Sequence, residues 1–193
     1  SHEEIELNRA ADINILCDPG VFLDTLNKLK VSNKWNLGNK WIEQNISEKK
    51  KWIDKSLKDL EKETTEAKKN GGKIHPLQLA LDVQDAMKDN DWLVIDGGNT
   101  HFWSEIAINI AGHKGKKLGG ILHPGTFSML GVGVPFALSA KNLNPKSNVV
   151  LISGDGAFLS GGLSIEAAFQ ENKPIVVVID NNGGLDCISQ QQE

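Results

Sequence analysis

Apolar residues fall into two rhythms along most of this chain. Short unbroken runs, WLVID at 92–96, VVLIS at 149–153 and IVVVID at 175–180, have the length and β-branched content of buried strands. Between them the spacing turns helical. Leu77, Leu81 and Met87 follow Pro76 at a helical start, GVGVPFALSAK carries small residues on its opening turns, and a further helix is expected between Gly156 and Pro174. Ile121 to Pro124 reads as one more short strand. Strands alternating with helices predict an α/β fold with a doubly wound parallel sheet.

The first part of the chain reads differently. IELNRAADINILCD alternates apolar and polar residues, which predicts a strand. Leu23, Leu26 and Leu29 after Pro19-Gly20 predict a helix. From 31 to 74 Lys, Asn and Glu dominate, with Trp35, Trp41 and Trp52 interleaved. Ile42, Ile46, Ile53, Leu57 and Leu60 form a loose helical stripe, the Lys/Glu run to Lys69 forms a solvated face, and Asn70-Gly71-Gly72 ends the helix.

Composition narrows the function. A hydrophobic content of 39% suffices for a core, and a net charge of −4 argues against nucleic acid, whose backbone demands a basic face. Acidic residues from Glu48 to Glu66 interrupt the Lys-rich stretch. No apolar run reaches the roughly 20 residues that span a bilayer. Cys17 and Cys187 show no pairing or metal pattern, so buried thiols are expected, in a reducing, cytoplasmic setting, with an organelle left open.

Gly-containing turns follow the strands or open the helices: Gly97 to Thr100, Gly125 to Leu130, Gly154 to Ala157 and Asn181 to Gly184. Parallel strands bring such turns to one sheet edge, where ligands of open α/β sheets sit. A dinucleotide fingerprint fails because Leu159 stands where its last Gly belongs, and GHKGKK at 112–117 lacks the spacing of a phosphate-binding P-loop. Asp155 and Asn182 instead place hard oxygens beyond two adjacent strand ends, which suits Mg2+ holding a phosphate.

The GDG at 154–156 joined to the NN at 181–182 resembles the cofactor-binding signature of thiamine-diphosphate (ThDP) enzymes. The resemblance implies that Asp155, Asn182 and the carbonyl of Gly184 bind Mg2+, and that Gly154, Gly156, Ala157 and Asn182 line the cofactor. LHPGTFSMLGVGVPFALSAK resembles the segment that reads the aminopyrimidine, with Ser128 and Leu130 in contact and Leu130 supporting the bent cofactor. DGGNT resembles the first diphosphate loop, implicating Asn99 and Thr100. The opening residues are similar to the end of the middle domain of acetolactate synthase-like proteins, apart from Cys17 where Gly is more usual.

This resemblance implies three regions: residues 1–30 as the tail of a middle domain, 31–74 as a helical charged linker, and 75–193 as a pyrophosphate-binding domain continuing past Glu193 in a longer chain. It further implies carbon–carbon bond making or breaking beside a carbonyl, on a small 2-keto acid or an acyl-CoA, as in acetolactate synthase and the 2-hydroxyacyl-CoA lyases. FAD or ADP in the middle domain is left open. The pyrimidine-binding domain of a second subunit would bring the activating glutamate, in a homodimer or homotetramer. No part of this sequence resembles that domain, so these residues alone are expected to be inactive. The alternative is a non-catalytic or regulatory fragment that keeps the fold. His101, His113 and His123 each suit either a substrate-facing acid or base or a solvated loop position, Trp103 a packing role, and Glu105 and Glu166 stand as reserve acids.

Overall fold

The structure, a computed structural model, describes residues 10–33, 39–69 and 71–192. The chain divides between Lys51 and Trp52 into two compact units. In the smaller one the expected strand is missing over its described part. Residues 10–18 are irregular, and Ile13, Ile15 and Leu16 are exposed. Alternation alone makes no strand when no neighbour completes the hydrogen-bond ladder; residues 5–9 lie outside the described residues. The helix is present as α1, Pro19–Asn33, capped by Asp18, whose Oδ1 accepts the N–H of Gly20 at 2.8 Å and of Val21 at 3.2 Å. Cys17 is exposed rather than buried, and Cys187 is half-buried; both are free thiols.

Helix α2 spans Asn39–Lys69 and ends where Gly71-Gly72 follow. Its stripe is only partly used: Ile53 and Leu60 are buried, whereas Ile42 and Ile46 are exposed. From Trp52 onward its residues belong to the larger unit, so the unit boundary falls inside the 31–74 segment. There Ile53 and Leu60 join Leu77, Ala80 and Leu81 of α3 (Pro76–Ala86) and Ala107 and Ile110 of α4 (Asn99–His113). His75 ties these helices together. Its Nδ1 accepts the Leu77 N–H at 3.1 Å, its Nε2 pairs with Glu63 at 3.0 Å, and its ring meets Trp103 edge-on at 4.9 Å.

The larger unit is built on a four-stranded, all-parallel sheet of order β2-β1-β3-β4, with β1 Trp92–Asp96, β2 Gly120–Leu122, β3 Val149–Gly154 and β4 Val176–Asp180. Side chains alternate across it. Leu93, Ile95, Val150 and Ile152 face Val83 of α3, Met87 just after it and Ile108 of α4. Val94, Val149 and Leu151 face Val134, Ala137 and Ala140 of α5 (Gly133–Leu143). The sheet is thus wound on both faces, as its unbroken apolar strands require.

The β3–β4 connection is broken where one helix was expected. It runs as α6 (Asp155–Gly161), a 3-10 turn (Gly162–Ser164) and α7 (Ile165–Gln170). The break falls where two backbones touch: a Cβ on Gly161 would lie 1.9 Å from the carbonyl oxygen of Gly131. The central strands carry the stability. Leu151 has no exposed surface, and Leu151→Ala is expected to cost about 2–5 kcal/mol through lost burial and the cavity left behind. Urea unfolding followed by circular dichroism measures this, and a loss below about 1 kcal/mol would contradict the core described.

Candidate cofactor site

The strand order reverses direction between β1 and β3. α4 leads from β1 to β2 on one face, and α5 leads back across β1 to β3 on the other. Loops leaving β1 and β3 therefore part at their carboxyl ends and leave a crevice. The last residue of β1, Asp96, organises this place. Its carboxylate is 1% exposed, and Oδ2 accepts the N–H groups of Gly131 at 3.0 Å and Gly133 at 2.7 Å. The segment from Gly125 to Gly133 is so drawn over the strand ends. Oδ1 has no hydrogen-bond partner among the described residues. Burial pushes the Asp96 carboxyl above its ordinary range, against the opposing pull of the Gly133, Gly131 and Val132 amides.

All ten residues singled out from the sequence line one cavity of about 490 Å³: Asn99, Thr100, Ser128, Leu130, Gly154, Asp155, Gly156, Ala157, Asn182 and Gly184. Asp155 opens α6 directly after β3, and Asn182 follows β4. The Asn182 amide oxygen accepts the Gly184 N–H at 3.1 Å, a turn that keeps both near the strand end. Ser128 takes the left-handed conformation (φ 48°, ψ 30°) and donates its N–H to Gly125 at 3.1 Å. For a residue with a side chain this is an uncommon backbone, held here at the cavity rim.

Several neighbours were not foreseen. Asp186 accepts from the Asn99 amide at 3.1 Å and Asp180 from the Thr100 hydroxyl at 3.1 Å, so the β1 loop is tied to the end of β4 and to α8 (Asp186–Gln192). Leu185 and Cys187 also line the cavity and press on its glycines: Cβ atoms on Gly156 and Gly98 would lie 2.5 Å and 2.9 Å from them. Asp96 and Asp180 did carry a signal, a charged residue closing an otherwise apolar strand. Their contacts, and those of Asp186, join residues far apart in sequence and carry none. Of the histidines, His113 is exposed at the end of α4, whereas His101 lines the cavity and meets His123 with ring centroids 4.7 Å apart and the rings tilted by 43°. Glu166 is exposed and accepts from Gln170 on its own helix at 3.2 Å. Among the described residues no Lys or Arg lines the cavity, while Asp155 and Asp186 do.

A groove of about 800 Å³ adjoins the cavity, sharing Asn99, Phe102, Asn182 and Asp186. A volume of 490 Å³ falls within the range of cofactor pockets.

A doubly wound α/β domain with Gly-rich turns converging at its switch point belongs to the class of folds that hold phosphorylated cofactors beyond their strand ends. The family model of the thiamine pyrophosphate enzyme C-terminal TPP binding domain matches residues 96–193, and the chain belongs to this family. It is similar to human 2-hydroxyacyl-CoA lyase 2, 32% identical over 121 residues, which cover 62% of this chain and 18% of that protein. The catabolic acetolactate synthase of Raoultella terrigena is 29% identical over 120 residues, 62% of this chain and 21% of that one. Over 150 residues, 73% of this chain, it is 31% identical to 2-hydroxyacyl-CoA lyase 2 of Caenorhabditis elegans, 22% of whose length is covered. The chain thus spans about a fifth of the length of the curated relatives it matches.

The raised Asp96 carboxyl gives a signed test. Its contribution to stability is fully present below the unfolded value of 3.8 and is lost as pH rises through the folded one, because ionising it in place opposes burial. Asp96→Asn removes this titration while keeping an acceptor oxygen. Wild type is expected to lose stability relative to Asp96→Asn as pH rises from acid to neutral in parallel urea titrations. A difference that stays constant with pH would overturn the assignment.

Proposed function

We propose that the cavity binds thiamine diphosphate through Mg2+, as the cofactor-holding part of a longer enzyme that makes or breaks carbon–carbon bonds beside a carbonyl. The reading rests on one observation: the three oxygen donors, Asp155, Asn182 and the Gly184 carbonyl, line one cavity with the loops that carry Asn99, Thr100, Ser128 and Leu130. The donor set fits the ion. A carboxylate, an amide oxygen and a backbone carbonyl are hard ligands suited to Mg2+, which also keeps positions for phosphate and water. Electrostatics favours the same arrangement. A bare diphosphate would meet the carboxylates of Asp155 and Asp186 with no Lys or Arg among the described residues at the wall, which favours a divalent cation as the compensating charge.

When bound, the cofactor would supply the electron sink for chemistry beside the carbonyl. The chain's own residues place it. Asn99 and Thr100 would turn their hydrogen bonds from Asp186 and Asp180 toward phosphate oxygens, the backbone at Ser128 would meet the aminopyrimidine, and Leu130 would support the bend between the rings. The names of the relatives favour a 2-hydroxyacyl-CoA or a 2-keto acid as substrate. We further propose that turnover needs a pyrimidine-binding domain from a second subunit to supply an activating carboxylate. A homodimer or homotetramer would satisfy this, and FAD or ADP in a middle domain remains compatible with the reading.

Calorimetric titration of thiamine diphosphate into the chain, with Mg2+ and with a chelator, tests the metal assignment. Binding is expected with Mg2+ only, and Asp155→Ala should weaken it at least tenfold; equal affinities throughout would sink the proposal. Leu130→Ala is expected to reduce turnover of the assembled enzyme several-fold while Mg2+ affinity stays the same, since the side chain would touch rings and not phosphates. A parallel fall in Mg2+ affinity would reject that role.

A further inference from the structure

We propose that His101, Glu105 and His123 form a second metal site, for a divalent ion of the zinc class, apart from the Mg2+ proposed at Asp155. His101 and Glu105 stand one turn apart on α4, so their side chains share a face. His123 follows β2 and brings its ring to His101. One donor atom from each of the three lies within 4.8 Å of the others.

The pair on α4 is incomplete as it stands. His101 Nε2 is 3.3 Å from Glu105 Oε1, yet it is buried and makes no hydrogen bond among the described residues. An ion pair alone leaves that nitrogen misaligned. A shared ion resolves it, because two donors at about 2.1 Å from one tetrahedral zinc lie about 3.4 Å apart. His123 is exposed and closes the remaining distance by side-chain rotation. Binding through either of its nitrogens ends the 3.1 Å hydrogen bond that Nδ1 accepts from Gly125, one exposed bond exchanged for a metal ligand. Two imidazoles with one carboxylate select zinc, cobalt or nickel over Mg2+, which prefers oxygen. Three protein ligands leave a fourth position open beside the cavity that His101 lines.

The competing arrangement is a His101–Glu105 ion pair with the His123 ring merely in contact with it. Calorimetric titration of Zn2+ into the chain, without thiamine diphosphate or Mg2+, separates the two, supported by the visible spectrum of the Co2+ form. One bound equivalent is expected, weakened at least tenfold in His101→Ala and His123→Ala and unchanged in His113→Ala. Because His123 is exposed, its variant keeps the fold, which far-UV circular dichroism verifies. Failure to bind Zn2+, or binding that His123→Ala leaves intact, overturns the proposal. Neither outcome bears on the thiamine diphosphate reading, whose ligands are absent from the measurement.

Discussion

The buried carboxylate of Asp96 holds the loop from Gly125 to Gly133 against the end of β1, and the rest of the site depends on that attachment. Two amide hydrogens converge on one oxygen, and the Gly133 donor is buried, so letting go would leave at least that N–H without a partner. The same bond fixes the start of α5, whose Val134 and Ala137 then cover one face of the sheet. One interaction therefore sets both the packing of that layer and the position of Ser128 and Leu130 over the strand ends. Its cost is a carboxylate kept in a setting that disfavours its charge.

The elements most legible in the sequence were those whose cause is local. WLVID and VVLIS have too many consecutive apolar residues for anything but a strand covered on both faces, and both sit at the sheet centre. Pro76 and the small residues before Val134 marked helix starts for equally local reasons. The strand predicted from IELNRAADINILCD is absent over residues 10–18 because strand formation is decided by a partner, and alternation says nothing of one. The break between α6 and α7 was hidden for a similar reason, since Gly161 yields to Gly131, thirty positions earlier and invisible to a local pattern.

The site followed the same division. Gly-Asp-Gly and Asn-Asn could be placed at one edge because turns at the ends of adjacent parallel strands must face the same side, and Gly154, Asp155, Gly156 and Asn182 do line one cavity. The contacts of Asp180 and Asp186 were not readable, since their partners Thr100 and Asn99 lie 80 and 87 positions away. His101 and His123 looked like separate loop residues. Only the β1–β2 pairing, with Trp92 opposite Gly120, brings the end of β2 beside the first turn of α4.

The two jaws of the cavity are mounted on unequal supports. Asp155 extends from β3, paired on both sides and buried from Val149 to Ser153, whereas Asn182 extends from β4, which among the described residues pairs on one side and leaves Val176 and Ile179 exposed. Local opening is governed by such differences in burial and pairing, so amide protons of β3 should exchange with solvent last and those of β4 much sooner. An ion gripped between them would take its position from the stiff side and its fit from the compliant one.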